Sequence, residues 1–216
     1  MSTEKLDTEI RKEQIAQAAL SLVASQGLRA VTVGRVAKLI GLVPSALYRH
    51  FKNKDQIIDA VLDLLESRLT NNLANVDEAE DPIDALRKLL MRHVQLILEY
   101  QAVPRILFSD EVFSGRPERK GRLYGIITRF LNGVAAIIRH GQEGGRIRRD
   151  RKAETLATMF IGLFQPAVFL WHLSNGKFDM IRHVDLAWEM FADAITDHDS
   201  ANKESNSPEV NHHDEK

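Results

Sequence analysis

The spacing of apolar residues constrains this chain more than any other feature. Over most of its length they recur three and four positions apart, the period of one face of an α-helix. Ile15, Ala18, Ala19, Leu22 and Val23 share one such face, and Gly27 follows as a helix stop. Ile57, Ile58, Val61, Leu62, Leu65 and Leu69 share another. Ile83, Leu86, Leu89, Leu90, Val94, Ile97 and Leu98 form a third, and Leu123, Ile127, Phe130, Leu131, Val134, Ile137 and Ile138 a fourth. Strand-like alternation is scarce. The pattern predicts an all-α fold of about nine helices.

Punctuation places the ends. Thr32 is a candidate N-cap for a helix over Val33 to Ile40, Gly41 marks a turn, and Pro44 to Phe51 follows as a short helix. Asn53 with Gln56 three positions later is a reciprocal capping pattern opening a long helix. Asp81-Pro82 opens the next, Ala102 to Phe113 is shorter, and Pro117 to about Gln142 is long. Gly144-Gly145 ends it, leaving Thr155 to Asn175, which should bend at Pro166, and Met180 to Asp197. From His198 the chain turns polar and acidic, and residues 198–216 read as a disordered tail. The His212-His213-Asp214 group within it reads as solvated.

Several chemistries are excluded. With no Cys there is no disulfide, thiol nucleophile or Cys-ligated metal. No Gly-rich phosphate loop, nucleophile motif or HExxH occurs, and His93, His140, His172 and His183 lack metal-ligand spacing. No cofactor, metal or catalytic residue is expected, so the chain reads as a non-enzyme. No apolar run follows Met1, and the greasiest stretch, Met159 to Trp171, contains Gln165 and Pro166 and falls short of the roughly 20 residues of a span. A soluble, cytoplasmic protein without a membrane partner is the expectation.

Net charge misleads. The whole chain carries 29 basic and 30 acidic residues. Yet no Asp or Glu occurs from Gln14 to Lys54, where Arg29, Arg35, Lys38, Arg49, Lys52 and Lys54 gather. Such a one-signed surface is the footprint of phosphate binding. It coincides with two short helices around Ile40-Gly41-Leu42-Val43, the spacing of a helix-turn-helix. The second helix of such a unit aims its first turn at base edges. Ser45 there can donate or accept, and Pro44 and Ala46 can pack on a thymine methyl. Tyr48 can reach a base or a phosphate, and Arg49 and His50 face the backbone. Lys54, a cation at the positive end of a helix, makes sense where a phosphate docks.

The run Arg11-Lys12-Glu13-Gln14-Ile15, Ala18-Ala19-Leu20, Gly27, Thr32-Val33, Val36-Ala37, Gly41-Leu42 and Leu47 to Lys54 resembles the N-terminal domain of TetR-family transcriptional regulators. The resemblance is strong over roughly residues 8–62 and architectural beyond. It implies a DNA-binding helix-turn-helix domain over residues 1–54, with Thr32 and Arg35 joining the contact set, and a ligand-binding and dimerisation domain over 55–197. It implies a homodimer, an operator of double-stranded DNA and a small-molecule effector in an apolar pocket. Candidate pocket residues are Tyr100, Arg105, Phe108, Tyr124, Phe164, Gln165 and His172. The last two helices would pair across a two-fold axis through Met159, Phe160, Leu163, Phe164, Ala167, Leu170, Trp188 and Phe191. One departure stands out: Val43 occupies the position where the family usually carries a capping residue. Two other readings are an all-α small-molecule binder or enzyme whose helix-turn-helix serves packing alone, and an activator or nucleoid-type DNA binder.

Overall fold

The computed structural model describes residues 3–77, 80–107, 109 and 117–197. These form helices, with no strand among the described residues and one isolated bridge between Ile147 and Thr196. Helix α1 spans Thr3–Gln26, α2 Val33–Leu39, α3 Pro44–Tyr48, α4 Lys54–Ala74 and α5 Pro82–Glu99. Helix α6 spans Ala102–Leu107, α7 Pro117–Glu143, α8 Ala153–Gly162, α9 Gln165–Leu173 and α10 Met180–Ile195. Of the Ala102 to Phe113 expectation, residues 108 and 110–113 lie outside the described residues, as does the 198–216 tail.

The predicted caps form. Thr32 Oγ1 accepts from Arg35 N at 3.3 Å, and Asn53 Oδ1 from Gln56 N at 3.0 Å. Gln56 returns the contact one residue early, accepting from Lys52 N at 2.7 Å. Asp81 Oδ1 accepts from Ile83 N at 2.9 Å and Asp84 N at 3.4 Å, while Pro82 fills the first turn without leaving a donor idle. Gly27 and Gly41 stand at φ 79° and 69°, conformations costly to a side chain, and turn α1 towards α2 and α2 towards α3.

Two cores result. The first joins Ile15, Ala19 and Val23 of α1, Val36 and Ala37 of α2, and Leu47 and Phe51 around α3 to Ile57, Ile58, Val61, Leu62, Leu64 and Leu65 of α4. Ala102, Ile106 and Leu123 complete it from α6 and α7. Residue 54 therefore does not divide the molecule as the sequence suggested, because the first three turns of α4 belong to the head's core. The second core gathers Leu86, Leu90 and Val94 of α5, Phe130, Val134 and Ile138 of α7, Phe160, Val184, Trp188 and Phe191 of the last helices, and Phe164 between α8 and α9.

A further correction concerns Thr155 to Asn175. Instead of one bent helix there are two, α8 ending at Gly162 and α9 beginning at Gln165. Pro166 sits in the first turn of α9, where its missing N–H removes no hydrogen bond. By length and composition Ala153–Leu173 could cross a membrane. Its inward side chains Phe160, Phe164, Ala167 and Val168 instead pack into the second core.

The basic Arg146 to Lys152 loop is structural. Arg146 meets Asp81 at 2.6 Å, and Arg149 donates to the carbonyls of Gln142 and Glu143 at the end of α7 at 2.6 and 2.9 Å. Cations there complement the negative end of a helix.

Candidate nucleic-acid interface and internal cavity

Leu47 anchors α3. It is fully buried with Phe51, and Leu42 N–H donates to the Ala37 carbonyl at 2.9 Å across the turn. The anchoring turns the other face outward. Pro44, Ser45, Tyr48 and Arg49 are exposed, Tyr48 at 55%, while Ala46 and His50 are half-buried. Tyr48 is too open to serve the head's core. Lys54 is half-buried as the first residue of α4, at the positive end of that helix.

The remaining predicted contacts have local duties. Thr32 is exposed but its hydroxyl oxygen is the cap of α2. The Arg35 guanidinium hydrogen-bonds Gln26 Oε1 and lies 3.5 Å from the Ala30 carbonyl, bracing α2 against the end of α1. Val43 makes no side-chain cap and is 63% exposed, so α3 starts with only Pro44 to pre-set its first turn.

Between α4, α5, α6, α7 and the α8–α9 break lies a cavity of about 200 Å³. Leu62, Leu65 and Leu69 form its α4 wall, and Leu123, Ile126, Ile127 and Phe130 its α7 wall. Among the described residues, its polar side chains are His93 and Gln165. Of the predicted pocket residues, Phe164 and Gln165 line it. Tyr100, Arg105, Tyr124 and His172 do not. Tyr100 packs against the head's core, and Tyr124 is 72% exposed on the outer face of α7. Phe108 lies outside the described residues. The residue that the sequence reading misses is His93. Its signal is legible, since it falls on the apolar stripe of α5 between Leu89, Leu90 and Ile97, where a polar side chain must face something other than solvent.

His93 stands between two aromatic rings, with centroids 5.0 Å from Phe130 and 4.3 Å from Phe164. Its Nδ1 is buried without a hydrogen-bond partner. Burial penalises the imidazolium and pulls its pKa down to about 4. The ring is neutral at pH 7.

The predicted interface residues divide sharply. Phe160, Phe164, Ala167, Trp188 and Phe191 are buried within their own protomer, so their side chains have no surface to offer a partner. Helical period explains the correction: these are the inward positions of their helices. Met159 and Leu170 are exposed at 54% and 42%, and Leu163 is half-buried. Phe169, Leu173, Leu186 and Met190 join them as exposed apolar side chains of α9 and α10.

Residues 15–61 match the sequence profile of bacterial regulatory proteins of the tetR family. Residues 79–195, more than half of the chain, match that of the tetracyclin repressor-like C-terminal domain. The chain belongs to the tetR family. TetR-family members are DNA-binding transcriptional regulators, and the two matched segments correspond to the head and to the body containing α5 to α10. The HTH-type transcriptional regulator TtgR of Pseudomonas putida is 27% identical over 192 residues, covering 84% of this chain and 89% of TtgR. The nucleoid occlusion factor SlmA of Vibrio atlanticus is 25% identical over 193 residues, covering 86% of this chain and 95% of SlmA. Among solved structures, the regulator FadR from Bacillus subtilis in complex with stearoyl-CoA shares the fold, with a TM-score of 0.67 and 20% identity over 83% of this chain and 96% of that one.

Proposed function

We propose that this tetR-family protein is a homodimeric repressor that leaves a palindromic operator when a small, mainly apolar molecule fills the cavity. One observation carries the reading: α4 belongs to both parts. Its Ile57, Ile58 and Val61 hold the head, and its Leu62, Leu65 and Leu69 wall the cavity. A ligand that favours a different seating of α4 favours a different spacing of two heads, which is a shift between two populations.

The contact set on DNA is the first turn of α3 with Pro44, Ser45 and Ala46, then Tyr48, Arg49, His50 and Lys54. Thr32 and Arg35 join it from α2, Thr32 through its exposed face. Two-fold symmetry sets half-sites about one helical turn apart, or a multiple of it. The partner packs on the exposed apolar face of α9 and α10 around Leu170, Leu186 and Met190, with Met159 at its edge.

Footprinting on genomic fragments recovered with the purified protein tests the reading. A few protected palindromes, released by the effector, support it. Protection spread over many sites without release would favour the nucleoid-type role suggested by the likeness to SlmA. No salt-sensitive DNA binding at all would leave only the alternative of an all-α small-molecule binder or enzyme whose helix-turn-helix serves packing alone.

A further inference from the structure

The cavity has a more particular chemistry than its apolar walls suggest. Resting on the reading that it is the effector site, we propose that it selects an uncharged, compact apolar molecule carrying one hydroxyl, and that the hydroxyl pairs with the imidazole of His93.

Size limits the ligand first. At about 200 Å³ the cavity is little larger than the apolar voids of roughly 150 Å³ that accept benzene. One ring with a short chain fits. A long acyl chain with a nucleotide head does not.

Charge limits it next. No Lys, Arg, Asp or Glu lines the cavity among the described residues. An anion would enter with no cation to meet it, and a desolvated charge without a partner is strongly disfavoured. His93 does not fill that role, because with a pKa of about 4 only about one ring in a thousand is protonated at pH 7. A cation would face neutral groups alone.

The hydroxyl follows from the ring that remains. A neutral imidazole carries one N–H and one lone pair, and a hydroxyl both donates and accepts. A hydroxyl therefore suits either tautomer, where an ether or ketone suits only one. His93 makes no hydrogen bond among the described residues, and its Nδ1 is sealed. The part of its surface left open faces the cavity. Phe130 and Phe164 pack against the ring, with centroids 5.0 and 4.3 Å away, so its orientation is restricted before the ligand arrives. Gln165, at the α8–α9 break, is the only other polar side chain lining the cavity among the described residues and tolerates a second weak polar group.

Three matched probes test this by calorimetry on the full chain at pH 7: 4-propylphenol, propylbenzene and 4-propylbenzoate. The phenol should bind about fivefold more tightly than propylbenzene, the size of one net hydrogen bond. The benzoate should not bind measurably. In His93→Leu the preference for phenol over propylbenzene should vanish while propylbenzene binding persists. Should that variant not fold, the imidazole nitrogen resonances of the wild-type protein serve instead, moving with the phenol and not with propylbenzene. Benzoate binding as tight as phenol, a phenol preference that survives His93→Leu, an unmoved imidazole, or no binding by any probe would overturn the proposal. Phenol binding that depends on His93 but leaves operator DNA bound would uphold the cavity chemistry and defeat only the effector reading.

Discussion

Arg119 of α7 donates from Nε to Asp59 of α4 at 3.0 Å, and a second guanidinium nitrogen meets both the carboxylate and the carbonyl of Asp55 at 3.0 Å. Arg119 is only 5% exposed, and is the one buried charged residue among those described. The fork thus ties the start of the helix that carries Lys54 to the helix that supplies the cavity's Leu123 and Ile126. Arg122 continues the seam, bonding the Asp59 carbonyl at 3.2 Å and the Asp63 and Glu66 carboxylates. The head is therefore fastened to the body by charge as well as by the shared core.

The first prediction concerns that fork. Arg119→Met keeps the apolar stem and removes the cation. Its carboxylate partners are 34% and 48% exposed and recover water, so the loss should be about 2 kcal/mol, less than for a fully buried pair. Urea unfolding measures it. Combined with Asp59→Asn, the double variant should lose less than the two single losses added, by about 1 kcal/mol. Strict additivity would show that the two residues do not act together.

The second is a pH dependence. His93 titrates at about 4 in the folded chain and near 6.5 when unfolded. Between those values the unfolded state binds the extra proton, so stability is complete above pH 6.5 and falls as the pH drops towards 4. Below 4 the loss is constant, at about 3 kcal/mol for a shift of this size. His93→Leu should flatten the wild-type slope in that window by most of this amount. The test is a comparison of urea midpoints for the two proteins from about pH 7 to about pH 4, since the carboxylates shared by both cancel.

Much of this is legible in the chain because helices announce themselves locally. The stripes on α4, α5 and α7, the caps at Thr32, Asn53 and Asp81, and the turn at Gly41 each depend on residues within one or two turns. What the sequence does not yield depends on which side of an apolar helix faces inward. Along α8 and α9 both faces are greasy, so Phe160 and Ala167 look as suited to a partner as Met159 and Leu170. The same limit hides the cavity. Tyr100 and Tyr124 are aromatic and mid-chain, yet one faces the head and the other solvent. His93 is the exception, a polar residue on a buried stripe whose position alone gives it away.

A third prediction uses the uncapped start of α3. Val43 is 63% exposed and makes no cap, so Val43→Ser sacrifices little packing and gives the helix an acceptor for its first N–H groups. A new cap contributes about 1 kcal/mol. The thermal midpoint should rise, and footprinting should show operator affinity equal or higher. A lower midpoint would mean that Val43 packs in a way its exposure does not reveal.

The fourth addresses association. Leu186 and Met190 are four residues apart on α10 and exposed at 54% and 78%, so they form one apolar ridge. Met190→Glu with Leu186→Glu puts two charges on it without touching the buried Trp188 and Phe191. Sedimentation should show the wild-type chain as a dimer and the variant as a folded monomer. Operator affinity should fall steeply, since one head then binds alone. A variant that remains dimeric would move the interface elsewhere.

The last concerns Lys54. It lies at the N-terminus of α4, where a lysine without a phosphate would oppose the helix dipole. Lys54→Ala should therefore leave stability unchanged or slightly higher, since the unfavourable cation has gone. Its effect on DNA should be uniform across operator and random sequence, because a phosphate contact positions without reading bases. Each phosphate contact adds about 0.9 to the slope of log affinity against log salt, so a dimer losing two should show a slope shallower by about 2. Tyr48→Ala should do the reverse, lowering operator affinity more than random-sequence affinity with little change in slope. Anisotropy titrations over a series of salt concentrations separate the two. An unchanged slope for Lys54→Ala would make it a surface lysine with no part in DNA binding.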